Sequence, residues 1–277
     1  MSGKPTVGWI GLGDQGGPMV RAIAEAGYPL HVWSRSGRYK ALDGVPFTTH
    51  ATPAEMGAAS DIVGLCLSED RDNTQVLTSG GLLDALRPGS ILINHGTGLP
   101  AAAVALTRLA APRNVHVVDA PVSGGHAGAV AKKLTTIVGG DPDDVDTLRP
   151  VFETFSATIA YMGGAGSGQV GKLINNAMLM ANQKNISDLL DLAIAEDVDI
   201  DALVDVLRNG TASSRALQSL GNAITPENAE HLSKLQLIDM DIFREAFAGK
   251  GPTVQEVTER AIVGAEDLPK LAALVRH

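Results

Sequence analysis

Three groups of residues have types and spacings suited to chemistry, and the first is a glycine pattern. Gly11-Leu12-Gly13-Asp14-Gln15-Gly16 has the spacing G-x-G-x-x-G. In that pattern the first glycine permits a tight turn and the second lets a pyrophosphate approach the backbone. The third allows a helix to pack closely on a strand. Unpaired N–H groups and the positive end of the helix dipole then favour phosphate. With 31 glycines in the chain the pattern alone is weak. Its context is stronger, because the β-rich run Thr6–Ile10 precedes it and the helix-capable stretch Pro18–Ala26 follows. A glycine turn with no ligand is the competing reading.

The end of the second strand bears on which dinucleotide would bind. A site for NAD usually carries Asp or Glu there, about 20 residues downstream, to hold the ribose hydroxyls. Here the stretch reads Val32-Trp33-Ser34-Arg35-Ser36, with Arg38 beyond. Arg35 offers a planar fork for phosphate, and Ser34 and Ser36 add donors. The expected cofactor is therefore NADP, with NAD possible; solvated loop charges at Arg35 and Arg38 are the bland alternative.

The second and third groups lie further along. Asp119-Ala120-Pro121-Val122-Ser123-Gly124-Gly125 follows a strand, and its serine and paired glycines leave N–H groups and a hydroxyl to hold a small anion. Ligands of open α/β sheets sit beyond the carboxyl ends of strands, which gives that loop its interest. Lys172 and Asn176 are four apart and share a helix face, after glycines 163, 164, 166, 168 and 171. On spacing alone Lys172 reads as a solvated helix lysine, since lysine is seldom buried.

These residues need a scaffold, and the pattern supplies one. Strands are expected at Thr6–Ile10, Leu30–Trp33, Asp61–Leu67, Ile91–Asn94, Val115–Asp119, Thr135–Val138 and Thr158–Tyr161. Several are continuous apolar runs, which suits parallel strands covered on both faces. Helical stretches such as Val20–Ala26 and Ala101–Leu109 alternate with them, the pattern of a doubly wound Rossmann-type α/β sheet. From Ser167 to about Glu196 there is no proline, so a helix of about 45 Å is expected. Segments near 201–208, 229–247 and 253–264 read as further helices. The expected division is residues 1–163 as a nucleotide-binding domain and 164–277 as an all-α domain joined through the long helix.

Composition narrows the function classes. The chain has 277 residues, a net charge of -9 and 44% hydrophobic residues, enough for a packed core. An acidic chain with few aromatics is a poor binder of nucleic acid. No apolar run reaches the ~18 residues of a membrane span, and no signal peptide stands out. The single cysteine, Cys66, excludes an internal disulfide framework and suits a reducing compartment, so a cytoplasmic location is expected. No metal-ligand set is expected.

Taken in order, GLGDQGGPM (11–19), DAPVSGG (119–125) and GGAGSGQVGKLINN (163–176) resemble the signatures of the β-hydroxyacid dehydrogenases over nearly the whole chain. That group includes 3-hydroxyisobutyrate dehydrogenase and tartronate, glyoxylate and succinic semialdehyde reductases. The resemblance implies that Lys172 is the catalytic lysine, that Ser123, Gly124 and Gly125 hold a substrate carboxylate, and that Asn176 binds substrate. It also implies that Leu67, Ser68 and Thr97 line the cofactor. The implied activity is hydride transfer between nicotinamide and a small hydroxyacid or its semialdehyde. Lys172 would then move the proton, with its pKa lowered from about 10.4 for oxidation near neutrality. A homodimer or homotetramer through the helical domain is expected.

The chain departs from the family in places. Gln15 stands where methionine is usual, and Lys132 and Lys133 stand where Gly-Thr is frequent. His126 is either a substrate contact or a satisfied polar neighbour. The family's late Lys-Asp pair is represented either by Lys234, without a following Asp, or by Met240-Asp241, without the Lys. Two rivals stay open: an imine reductase on the same fold, which retained Lys172 argues against, and a cofactor-binding module without turnover.

Overall fold

The run Val7-Gly8-Trp9-Ile10 is buried throughout, as a strand covered on both faces must be. Successive side chains go to opposite faces. Val7 and Trp9 join one core cluster with Ile23, Ile62, Ile93 and Phe152. Ile10 joins the other, with Met56, Val63, Leu65 and Leu92.

The computed structural model describes residues 3–67 and 70–275. It contains two compact units, Met1–Lys172 and Leu173–His277, and the division between them falls inside a helix. The first unit runs β1 (Val7–Ile10), α1 (Gly16–Glu25), β2 (Leu30–Trp33), β3 (Thr48–Thr49), α2 (Pro53–Ala58), β4 (Ile62–Leu65), α3 (Asp70–Leu77) and α4 (Leu82–Ala85). It continues with β5 (Ile91–Asn94), α5 (Pro100–Ala110), β6 (His116–Asp119), β7 (Val122–Ser123), α6 (Gly125–Val130), β8 (Leu134–Gly139), α7 (Pro142–Phe152) and β9 (Ser156–Gly163). Helix α8 (Ser167–Ala195) begins in this unit and continues into the second.

The sheet order is β3-β2-β1-β4-β5-β6-β8-β7, with β9 beside β8. From β3 to β6 every pairing is parallel, while β8 is antiparallel to β6 and β7. The order reverses at β1, and the crevice beyond such a switch point is where doubly wound sheets place ligands. The expected strands are all present with ends shifted by a few residues. Two short strands, β3 and β7, had no local signal.

In the second unit α8 is followed by α9 (Ile200–Asn209), α10 (Arg215–Ser219), α11 (Ala229–Ala246), α12 (Pro252–Glu266) and α13 (Leu268–Leu274). One core gathers Leu190, Val204, Leu217, Leu268 and Leu271. Another gathers Leu173, Met180, Met240, Phe243 and Ala265. Gly264 allows α12 to lie directly on α8, since a Cβ there would stand 1.9 Å from the Met180 carbonyl oxygen. Among the described residues no helix is long and apolar enough to cross a membrane.

Candidate active site

The three glycines of the first motif have three different surroundings. Gly11 has φ +102°, and a Cβ there would lie 2.1 Å from the Cys66 carbonyl oxygen. A Cβ on Gly16 would lie 2.1 Å from the Gly11 carbonyl oxygen, so the start of α1 is pressed against the turn. Above Gly13 there is open space, with nothing within 4 Å. Trp9 fixes the turn from below, its indole N–H donating to the Gly11 carbonyl at 2.9 Å. Gln15 stands at the N-cap of α1 without a side-chain cap hydrogen bond.

A cavity of about 450 Å³ opens beside this turn. Its walls bring together Gly11, Leu12, Ser34, Arg35, Ser36 and Leu67, six of the expected cofactor residues. Gly13, Asp14, Gln15, Gly16 and Thr97 are not on its walls, and Ser68 lies outside the described residues. An open glycine, an uncapped helix start and an adjoining cavity with an arginine fit a dinucleotide. The fold also adds a group that local spacing concealed: Asp72 of α3 meets Arg35, with Oδ1 3.2 Å from Nη1.

The loop at residues 119–125 is more ordered than a bare turn. Val122 and Ser123 pair with Thr136 and Thr135 of β8. Gly124 and Gly125, at φ +134° and +63°, then turn the chain into α6. His126 is a polar neighbour of the glycine turn, its Nδ1 2.7 Å from the Asp14 carbonyl oxygen. Lys132 pairs with Glu25 at 3.0 Å, on the surface.

Lys172 is half-buried, in the second turn of α8. The start of that helix is tied to the carboxyl end of the sheet by two side chains. Asp119, at the end of β6 and 2% exposed, accepts the N–H groups of Gly166 at 2.7 Å and Gln169 at 2.9 Å. Burial pushes its carboxyl above the ordinary range, against the lowering effect of those N–H groups. Gln169 donates through Nε2 to the Gly96 carbonyl at 2.8 Å and accepts the Gly98 N–H through Oε1 at 2.9 Å. It thereby brackets Thr97. Neither residue was marked by sequence reasoning, although Gln169 stands three residues before Lys172 and shares its helix face.

Asn176 is buried on the next turn. Its Nδ2 donates to Asp239 Oδ2 on α11 at 2.8 Å, and its Oδ1 accepts from Asn175 at 3.1 Å. Neither residue considered for the late pair, Lys234 or Asp241, is the one that meets Asn176. Lys234 pairs with Glu230 at 3.1 Å and Asp241 with Arg244 at 2.6 Å, both within α11. The aspartate that meets Asn176 is Asp239, and Ile238 precedes it. Among the described residues no group of His, Cys, Asp and Glu is arranged to hold a metal ion.

Comparison with known proteins places this geometry. Residues 6–163 match the family described as the NAD binding domain of 6-phosphogluconate dehydrogenase. Residues 166–254 match the NAD-binding domain of NADP-dependent 3-hydroxyisobutyrate dehydrogenase. A probable mitochondrial 3-hydroxyisobutyrate dehydrogenase-like protein of Arabidopsis thaliana is 32% identical, over 88% of this chain and 82% of its own. An NAD-dependent L-serine dehydrogenase of Pseudomonas aeruginosa is also 32% identical, over 76% and 72%. The structure of Mycobacterium tuberculosis 3-hydroxyisobutyrate dehydrogenase with L-serine superposes with a TM-score of 0.85 at 25% identity, covering 99% of this chain and 98% of that one. With its glycine turn, adjoining cavity and anchored lysine helix, the chain belongs to the β-hydroxyacid dehydrogenase family and is an NAD(P)-dependent dehydrogenase.

Proposed function

We propose that the enzyme prefers NADP and acts on a small β-hydroxyacid or its semialdehyde or keto form, with Lys172 as general acid–base. The observation that carries this reading is the anchoring of the Lys172 helix by Asp119 and Gln169 at the carboxyl end of the sheet. That end is where the glycine turn opens, so the start of the helix that carries Lys172 lies at the end of the sheet where such folds hold ligands.

Gly11–Gly16, Ser34, Arg35, Ser36, Leu67, Ser68 and Thr97 would hold the cofactor, whose nicotinamide supplies or takes the hydride. Lys172 donates a proton to the substrate oxygen during carbonyl reduction and takes it back during alcohol oxidation. Ser123, Gly124 and Gly125 orient the carboxylate. Asn176, one helical turn beyond Lys172, orients the oxygen; both roles are positional rather than acid–base.

The test is purified protein with NADPH or NADH and a panel of semialdehydes, keto acids and cyclic imines, and with NADP+ or NAD+ and hydroxyacids including L-serine. Turnover of a carboxylate-bearing semialdehyde or hydroxyacid, lost by a factor of roughly 10²–10⁴ in a folded Lys172→Ala variant, supports the reading. Turnover of imines alone, or full activity in that variant, overturns it.

A homodimer or homotetramer through the helical unit belongs to the same reading. Ile174, Met178, Leu189 and Leu192 of α8 and Ile238 of α11 are exposed apolar side chains, and a second copy would cover them. Light scattering on the purified chain reads the assembly; a monomer at micromolar concentration rejects it.

A further inference from the structure

The cavity beside the glycine turn carries both signs of charge. Arg35 reaches into it from the end of β2 and Asp72 from α3, with Nη1 and Oδ1 3.2 Å apart. The aspartate is the better enclosed of the two, 23% exposed against 72% for the arginine. We propose that Asp72 is a specificity-determining residue for the cofactor, opposing the 2′-phosphate that Arg35 attracts and so keeping NAD usable. This rests on the cavity being the adenosine end of the NAD(P) site.

The argument is one of distance and charge. A phosphate oxygen held by Arg35 Nη1 at a charge-assisted distance of about 2.8 Å stands within roughly 6 Å of Asp72 Oδ1. A phosphate monoester carries a charge between about −1.5 and −2 near neutrality. Even with water-like screening, its repulsion by a carboxylate at that range weakens binding about five- to tenfold. A ligand without the 2′-phosphate meets no such repulsion. For such a ligand the carboxylate remains a hydrogen-bond acceptor on the cavity wall, of the kind that NAD sites offer to ribose hydroxyls. The acidic residue absent from the end of β2 is thus supplied from α3, 37 residues away in sequence.

A plain surface ion pair is the alternative role for these two residues, and pairs of that kind add little to stability. The two roles separate by what their removal changes. Replacing Asp72 should move the ratio of cofactor affinities and leave the fold alone.

Calorimetric titration of the full chain with NADP+, NAD+ and adenosine 2′,5′-bisphosphate tests this in wild type and in Asp72→Asn. Asp72→Ser serves as the second variant if the first does not fold. The expected result is a gain of about five- to tenfold for the two ligands with a 2′-phosphate, shrinking at high salt, and no gain for NAD+. If wild type binds both dinucleotides and their affinity ratio is the same in the variants, the role of Asp72 is overturned while the cofactor reading stands. If wild type binds neither, the reading of the cavity fails and this inference with it.

Discussion

Gln169 holds the backbone on both sides of Thr97: its amide nitrogen donates to the Gly96 carbonyl at 2.8 Å, while its amide oxygen accepts the Gly98 N–H at 2.9 Å. The loop around Thr97 and the helix bearing Lys172 are therefore one hydrogen-bonded assembly. Asp119 ties the same turn of helix to the end of β6.

Replacing Gln169 by alanine leaves a buried carbonyl and a buried N–H without partners. Each unsatisfied buried group costs about 1–3 kcal/mol. Urea denaturation of Gln169→Ala should show a loss of about 2–6 kcal/mol. A change below about 1 kcal/mol would mean that water replaces the side chain.

The glycines of the first motif should respond to alanine in opposite ways. Gly13→Ala has open space around it and should fold as wild type, yet lose cofactor affinity by at least about tenfold because the backbone is no longer approachable. Gly16→Ala drives a methyl group to 2.1 Å from a carbonyl oxygen and should unfold or expand the turn. Melting temperature and cofactor titration, measured together, separate the two outcomes.

His95 predicts a pH dependence of stability. It lies against Trp9, with ring centroids 5.1 Å apart, and its Nδ1 is 2.8 Å from the Ala120 carbonyl oxygen, so the neutral ring donates there. Burial lowers its pKa to about 4. Between about pH 4 and the unfolded value near 6.5, the unfolded chain binds more protons than the folded one. The stabilisation is complete above pH 6.5 and is lost as the pH falls toward 4, by about 3 kcal/mol. The unfolding free energy of wild type from urea denaturation should therefore fall relative to that of His95→Leu by about 3 kcal/mol between pH 7 and pH 4; parallel curves would contradict it.

Asp239 should act through Asn176. Asp239→Ala removes the acceptor that sets the amide's orientation, so KM should rise or kcat fall about tenfold, given a loss near 1.4 kcal/mol. Asp239→Asn keeps an acceptor oxygen and should recover most of the activity. Equal losses in both variants would make the role one of charge instead.

The scaffold was readable because its signals are local. Continuous apolar runs gave β1, β4 and β5, and the proline-free stretch gave α8 almost to the residue. Strands β3 and β7 are two residues each and exist by pairing with β2 and β8, which no local pattern announces. The same reason hid Asp72, Asp119 and Asp239. Each is defined by a partner 37, 50 or 63 residues away. Asp119 lies inside the DAPVSGG stretch, but its role as helix anchor depends on Gly166 and Gln169, which that stretch does not contain.

The crossing at Gly264 has a consequence for how this sequence can drift. A single methyl group there would have to wedge two helices apart at Met180, one turn along from Asn176, so a glycine on another helix bears on where that amide sits. Its neighbour Val263, 36% exposed, is open to exchange. Selection for turnover should accordingly leave a fingerprint at residue 264, where side-chain chemistry is nil and hydrogen alone is admitted.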